Sequence, residues 1–136
     1  MVDRFRDEIE EVHAFIAAWF RGDVAQDDAL FEKQFAARLD TALVNIQPSG
    51  QVLTRDDLLT GIRAGYGSNP AFQIEIEDVA LRCAGHDLAL VTYVEFQRGA
   101  RNTDPADNRR VSSVLFRGLN AGGTLIWMHI HETGRD

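Results

Sequence analysis

The stretch that most constrains the fold is residues 124–133 (TLIWMHIHET). It is rich in β-branched and aromatic residues and is bounded by Gly122, Gly123 and Gly134, so it predicts a β-strand. Strict alternation places Leu125, Trp127, His129 and His131 on one face and Ile126, Met128, Ile130 and Glu132 on the other. Three apolar residues in a row on the second face predict that both faces are covered. We expect helices of the chain on one side and a second subunit on the other.

Length and charge narrow the class of protein. The 136 residues predict a single domain over residues 1–136, and the net charge of −7 argues against nucleic-acid binding because acidic chains repel phosphates. No apolar run approaches the ~20 residues of a membrane span, and the N-terminal residues are charged. We therefore expect no membrane association and a cytoplasmic location. Cys83 is the single cysteine, which excludes an intrachain disulfide and favours a buried structural thiol.

Three helices are predicted in the N-terminal half. Residues 3–21 carry an apolar stripe at spacings of three and four, with Asp3 as the N-cap and Gly22 at the C-terminal turn. A second, short helix is predicted over residues 28–38. The third starts at a capping box formed by Thr54 and Asp57 and ends near Gly65.

The remaining segments predict strands. They cover residues 42–46, 51–53, 72–83 with a bulge at Asp78, 88–98 and 111–119, and residues 120–123 turn the chain into the final strand. Helices followed by a meander of long strands indicate an α+β fold. We expect the three N-terminal helices to pack on the concave face of a strongly curved, mostly antiparallel sheet, a cystatin-like cone with an open mouth.

Several motifs, in this order, resemble those of the nuclear transport factor 2-like (NTF2-like) superfamily of cone-shaped proteins. They are residues 19–23 (WFRGD), 48–50 (PSG) with 54–58 (TRDDL), 110–113 (RVSS) and 129–133 (HIHET). The last is similar to the superfamily's His-x-His-x-Ser/Thr ending. The resemblance spans nearly the whole chain and is nearest to the branch of unknown function related to SnoaL-like cyclases and the calcium/calmodulin-dependent kinase II association domain.

The same resemblance limits the chemistry. Ketosteroid isomerases of this fold use a tyrosine and an aspartate at positions that are Phe15 and Gln47 here, and neither side chain can replace the original. The superfamily's tryptophan before the first histidine is Leu125, with Trp127 on the same face. The arginines of the kinase association domain align with Thr92 and Ser113, so anion binding of that kind is not expected.

The candidate ligand-binding residues follow from this comparison: Phe15, Trp19, Thr92, Ser113, Trp127, His129 and His131. His129 is the candidate catalytic residue, either as a general base oriented by Glu95 or in a metal site with His131 and a third ligand from His13 or Glu95. A metal is the less favoured alternative, and no cofactor is expected because no phosphate-binding glycine motif is present. If Thr92 faces the cavity, Glu95 faces outward, which counts against the catalytic alternative.

These observations predict a homodimer that binds a small apolar organic molecule in its cavity. The outer face of the sheet, with Tyr93, Ile126, Met128 and Ile130, is the predicted dimer surface. Two alternatives remain open: a cyclase, isomerase or dehydratase that uses a cavity histidine, and a purely structural association module.

Overall fold

The computed structural model describes residues 1–101, 103–119 and 123–135, and these form three α-helices and six strands. The helices are α1 (Val2–Arg21), α2 (Asp28–Gln34), which a short 3₁₀ turn (Ala36–Arg38) follows, and α3 (Arg55–Ala64). The strands are β1 (Leu39–Ile46), β2 (Val52–Thr54), β3 (Gln73–Ala84), β4 (Leu88–Arg98), β5 (Asn108–Arg117) and β6 (Ile126–Arg135). Residues 120–122 of the turn predicted before β6 lie outside the described residues.

The strands form one sheet in the order β2-β1-β6-β5-β4-β3. Strands β3 to β6 form an antiparallel meander, β2 pairs antiparallel with β1, and β1 pairs parallel with β6. The helices pack on one face of this sheet, so the predicted α+β architecture is confirmed. The predicted bulge in β3 is also confirmed, because its register with β4 shifts between Glu77 and Ala80, around Asp78 with its positive φ.

Helix α1 buries its apolar stripe against the sheet. Phe5, Ile9, Val12 and Trp19 are all almost fully buried in one core with residues from β4, β5 and β6. Gly22 ends the helix in the left-handed conformation with a φ of 78°, as predicted. The predicted N-cap is wrong: the helix begins one residue earlier, Met1 is the cap residue, and Asp3 lies in the first turn.

Helix α3 is fixed at both ends. Its predicted capping box is present, since the Thr54 hydroxyl accepts from Asp57 N and the Asp57 carboxylate accepts from Thr54 N, each at 3.2 Å. Near the other end, the Trp19 indole donates to the Ile62 carbonyl at 3.0 Å. This bond links α1 to α3 and positions the apolar side of α3 over the interior of the cone.

A bulge in β6 reverses the predicted facing of its second half. Leu115 and Phe116 are neighbours in β5, but their partners are His129 and Trp127, so Met128 has no opposite residue. Trp127 faces inward before the bulge, and Ile130 faces inward after it. The prediction that His129 and His131 share the face of Trp127 is therefore wrong, because strict alternation fails at Met128.

The residues on the outer face of the sheet also differ from those predicted there. Tyr93 and Ile130, both predicted on the dimer surface, are 2% and 8% exposed and point into the cone. Ile126 and Met128 are half-buried. Cys83, predicted as a buried thiol, is exposed near the end of β3, where the strand projects beyond the core.

Across residues 1–101, 103–119 and 123–135, we find no helix with both the length and the apolar character required to cross a membrane.

Candidate functional site

A cavity of about 210 Å³ lies between the helices and the concave face of the sheet. Its polar lining comes from α1, β1 and the residue after β1, β4, β5 and β6: His13, Asn45, Gln47, Tyr93, Glu95, Gln97, Arg110 and Glu132. Its apolar lining consists of Val12, Ile16, Phe20, Phe35, Leu39, Leu58, Ile62, Phe72, Ile74, Trp127 and Ile130. The cavity therefore has a charged, hydrogen-bonding region and an apolar wall.

The central polar contact joins α1 to β4. His13 Nε2 lies 3.1 Å from Glu95 Oε1, and the two side chains are only 10% and 6% exposed. On its other side, His13 Nδ1 lies 2.8 Å from the Ile9 carbonyl oxygen. Both ring nitrogens thus face acceptors, which is the arrangement of a protonated imidazole that donates twice.

A chain of hydrogen bonds continues from Glu95 across the sheet. Gln97 Nε2 donates to Glu95 Oε2 at 2.6 Å, and Arg110 Nη2 donates to Gln97 Oε1 at 3.4 Å. Arg110 Nη1 then donates to Glu132 Oε2 at 3.0 Å. Strand register explains the order, because Glu95 pairs directly with Arg110 on β5. The result is a connected network of two cations and two carboxylates.

The ion pair controls the protonation of His13 and Glu95. Burial alone would lower the pKa of His13, but the charge and hydrogen bond of Glu95, with the Ile9 carbonyl, raise that pKa above 6.5. Burial opposes ionisation of Glu95 as well, yet the imidazolium, Gln97 and Arg110 lower its pKa to about 2. Each pKa is thus shifted toward the charged form of its group, and His13 has no free nitrogen to act as a base, because both ring nitrogens face acceptors.

Glu132 and Tyr93 have different environments. Burial and the nearby charge of Glu95 raise the pKa of Glu132, and Arg110 offsets only part of that effect. Burial and both carboxylates raise the pKa of Tyr93 well above 10, so its phenol stays neutral. The Tyr93 hydroxyl lies 3.4 Å from His13 Nε2. Glu132 is thus the carboxyl group in this cavity that takes up a proton more readily than its neighbour.

Two buried donors in the cavity lining have no hydrogen-bond partner among the described residues. They are Asn45 Nδ2 and Arg110 Nε. Asn45 is 2% exposed and lies beside Ile130 in the parallel pairing of β1 with β6. Buried polar groups in folded proteins are nearly always paired, so two open donors in one cavity indicate where an additional acceptor would bind.

The apolar wall is held by contacts outside the cavity. The Trp127 indole donates to Glu8 Oε2 at 2.9 Å, and Arg38 Nη1 donates to Glu8 Oε1 at 3.0 Å. This arrangement fixes the Trp127 ring against Phe116, with ring centroids 4.9 Å apart. Trp127 therefore presents a rigid surface to the cavity.

Of the seven predicted ligand-binding residues, the structure places only Trp127 in the cavity lining. Phe15 and Trp19 belong to the packed core with Phe31. Thr92 and Ser113 are paired opposite each other on the outer face, since Tyr93 and Arg110 on the same strands line the cavity. His129 and His131 follow the bulge in β6 and also lie on the outer face.

The predicted roles of His129 as a cavity base and as a metal ligand consequently lose their geometric basis. Glu95, expected to face outward with Tyr93, faces inward instead. The prediction was wrong because it relied on the superfamily's alignment for the facing of Thr92. Among the described residues, no group of three His, Cys, Asp or Glu side chains is arranged to hold a metal ion.

Sequence reasoning missed Asn45, Arg110 and Glu132 as cavity residues, and it named His13 only as a possible third metal ligand. A signal for His13 was present, because it follows Ile9 by four residues and so lies on the apolar stripe of α1. A titratable side chain on a buried stripe requires a partner in the interior. The partner could be sought among charged residues in central strands, and Glu95 is one.

Three helices on the concave side of a mixed six-stranded sheet, with a polar cluster inside, define a cone-shaped α+β protein. Comparison with protein-family models gives no match to this chain, and comparison with curated protein sequences gives none either.

Solved structures do match. An NTF2-like protein of unknown function from Pseudomonas aeruginosa is 28% identical, with a TM-score of 0.83 and coverage of 97% of this chain and 98% of that one. The CaMKII hub homology domain of Chlamydomonas reinhardtii is 17% identical, with a TM-score of 0.71 and coverage of 99% and 98%. An uncharacterised protein with a cystatin-like fold from Caulobacter vibrioides is 16% identical, with a TM-score of 0.64 and coverage of 96% and 89%. The chain therefore has the NTF2-like fold, and the resemblance expected from its motifs is confirmed.

Proposed function

We propose that this protein binds a small organic molecule inside the cone, with a polar atom near Asn45 and Arg110 and an apolar body against Trp127. The observation that carries this proposal is the pair of unpartnered buried donors, Asn45 Nδ2 and Arg110 Nε, in the lining of a cavity. Leaving a buried donor unsatisfied costs ~1–3 kcal/mol, and a ligand acceptor removes that cost.

The shape of the site supports the same proposal. Eleven apolar residues line the cavity, and several of them, including Leu58, Ile62 and Ile74, are only half-buried. Ligand sites typically combine such a wall with a few convergent polar groups. The half-buried residues lie where a ligand would enter.

A fragment screen by thermal shift, with a variant that blocks the cavity, tests the proposal. Leu58→Trp adds bulk at a half-buried lining position, and Leu53→Trp adds the same bulk at a half-buried position away from the cavity. We expect fragments that stabilise the wild type to lose their effect in Leu58→Trp and to keep it in Leu53→Trp. Fragments that stabilise all three proteins equally would place binding elsewhere.

A second candidate function is acid–base catalysis on the bound molecule. The observation that favours it is the separation of two carboxyl groups in one cavity: the pKa of Glu95 is lowered to about 2, whereas that of Glu132 is raised. Glu132 Oε2 accepts from Arg110, and no described hydrogen bond occupies Oε1. In this candidate, Glu132 Oε1 would take a proton from a carbon next to a carbonyl, and the electron pair would move to an oxygen held by Asn45 or Arg110.

Exchange of the α-hydrogens of cyclohexanone in D₂O, followed by NMR, distinguishes binding from catalysis. An enzyme of this kind would accelerate the exchange, and Glu132→Gln would abolish the acceleration. Equal exchange rates with and without the wild-type protein would contradict catalysis and would be consistent with binding only.

We also propose that the outer face of the sheet binds a second copy of the chain. The helices occupy the concave side, and half-buried apolar residues of the central strands, Leu90, Val111, Leu115 and Met128, lie on the other side. The Chlamydomonas structure of this fold is described as a hub homology domain. Size-exclusion chromatography with light scattering tests this proposal, and a monomer at all concentrations would contradict it.

A further inference from the structure

We propose that the cavity selects uncharged ligands that carry a hydrogen-bond acceptor and rejects carboxylates of the same shape. This inference rests on the proposed binding function and adds the charge class of the ligand.

The charges in the cavity already balance. Its charged lining residues are His13 and Arg110, which are cations, and Glu95 and Glu132, which are carboxylates. Each cation has a carboxylate partner, at 3.1 Å for His13 with Glu95 and at 3.0 Å for Arg110 with Glu132. The cluster therefore has a net charge of zero.

A further charge in this space would have no partner. The Glu95 side chain is 6% exposed and that of Glu132 is 13% exposed, so water screens them poorly. A ligand carboxylate beside Arg110 or His13 would share that cation with Glu132 or Glu95, so two buried carboxylates would have one cation between them. Because unpaired buried charges are costly, the carboxylate should bind more weakly than a neutral ligand of the same shape.

The open hydrogen-bonding groups fit a neutral polar group. Asn45 Nδ2 and Arg110 Nε are donors without a partner among the described residues, and either can serve a carbonyl oxygen. No described hydrogen bond occupies Glu132 Oε1, which can accept from an N–H or O–H. A carboxamide supplies one acceptor oxygen and an NH₂ group, so it can use both kinds of site. A carboxylate supplies only acceptors and would face Glu132 without a donor.

The size of the cavity limits the apolar body. Its volume of about 210 Å³ exceeds the ~150 Å³ of a cavity known to hold benzene. A single aromatic or alicyclic ring with one polar substituent is therefore the expected scale. Benzamide, benzoate and benzamidine have nearly the same shape and differ in charge, so they isolate the effect of charge from that of size.

The test is to measure the affinities of these three compounds for the wild-type protein at pH 7 by titration calorimetry or ligand-observed NMR. We expect benzamide to bind at least about ten-fold more tightly than benzoate, with benzamidine also weaker than benzamide. Benzamide binding should disappear in Leu58→Trp, which assigns it to the cavity.

Two variants change the charge of the site in opposite directions. Glu132→Gln leaves Arg110 uncompensated, so the affinity of benzoate relative to benzamide should rise by at least about ten-fold. Arg110→Gln leaves Glu132 uncompensated, so benzamidine should gain instead. Glu77→Gln breaks an exposed ion pair with Arg109 outside the cavity and should leave all three ratios unchanged.

The possible outcomes separate the inference from the proposed function. Wild-type protein that binds benzoate as tightly as benzamide would overturn charge selection and leave cavity binding intact. If none of the three compounds and no fragment of the wider panel binds, both charge selection and the proposed binding function would be overturned. If a variant does not fold, the wild-type ratio of benzamide to benzoate still decides.

Discussion

His13 on α1 and Glu95 on β4 form an ion pair inside the cone, with Nε2 and Oε1 3.1 Å apart. This contact ties the longest helix to a central strand of the sheet. It also starts the hydrogen-bond network that runs across the sheet to Glu132. Stability and the polarity of the site therefore depend on the same pair of side chains.

We predict that Glu95→Gln destabilises the protein by roughly 3 kcal/mol, because it leaves the buried imidazole without its anion. Glu75→Gln is the matched control: Glu75 pairs with Arg98 at the same 3.1 Å, but those side chains are about half exposed. Its cost should stay below about 1 kcal/mol. Urea unfolding of the three proteins measures both values. Equal losses in the two variants would mean that burial of the His13 pair adds no stability.

The same ion pair predicts how stability depends on pH. The pKa of Glu95 falls from 4.5 to about 2 on folding, so its contribution is present above pH 4.5 and is lost as pH falls toward 2. The pKa of His13 is raised above 6.5, so its contribution is complete below pH 6.5 and is lost as pH rises through the folded value. The raised pKa of Glu132 acts in the opposite direction to that of Glu95, with stability falling as pH rises above 4.5.

We therefore expect the free energy of unfolding to rise from pH 2 to 4.5, to decline above pH 4.5 through Glu132, and to decline further above pH 6.5 through His13. Unfolding curves across this range, for wild type and Glu95→Gln, provide the measurement. In the variant, stability should depend much less on pH between pH 2 and 4.5. An unchanged dependence in this range would mean that other carboxylates cause it. NMR titration of the His13 ring should give a pKa above 6.5.

The capping box of α3 predicts a smaller effect. Thr54→Ala removes the hydroxyl that accepts from Asp57 N and should cost about 1 kcal/mol. Thr60→Ala, at an exposed position within the same helix, should change stability by less than about 0.5 kcal/mol. Thermal unfolding compares the two. Since α3 carries Leu58 and Ile62 of the cavity lining, the cap variant should also weaken benzamide binding.

The proposed dimer surface has its own test. Leu115→Asp puts a charge in the middle of the outer face and should convert dimer to monomer without unfolding the chain. Val52→Asp changes an exposed apolar residue on the edge strand β2 and should leave the dimer intact. Ile130→Asp should unfold the protein, because Ile130 is buried inside the cone. A folded, dimeric Leu115→Asp protein would contradict the proposed surface.

The order of helices and strands, and hence the fold, could be predicted from the sequence. The spacing of apolar residues and the residues that cap helices are both determined within short segments of the chain. The stripe of α1, Gly22 and the Thr54 capping box each indicate their structures within a few residues of sequence. The bulge at Asp78 was also predictable, from the break in alternation along β3.

The sequence could not predict which side chains of β6 point into the cone, because this depends on one unpaired residue. Met128 has no partner in β5, and this bulge turns Ile130 and Glu132 inward and His129 outward. A bulge arises from the fit of two distant strands, and residues 125–128 are all apolar, so the sequence does not show where the alternation is interrupted. The prediction therefore placed His129 and His131, which follow the bulge, on the wrong face of the sheet.

The cavity cluster was missed for a related reason. Its members come from α1, β1, β4, β5 and β6, and only the register of the sheet brings Glu95 opposite Arg110. Arg110 and Glu132 lie in the motif segments 110–113 and 129–133, but neither motif indicates that these two side chains point into the cavity. His13 on the apolar stripe of α1 is the one local sign that the interior contains a charge.

The most direct test of this account is a crystal structure of the protein soaked with benzamide. We predict the ring against Trp127 and the carboxamide oxygen within hydrogen-bonding distance of Asn45 Nδ2 or Arg110 Nε, with the His13–Glu95 and Arg110–Glu132 pairs retained. A cavity filled only by ordered water at saturating benzamide, or by benzoate bound in its place with equal occupancy, would contradict it.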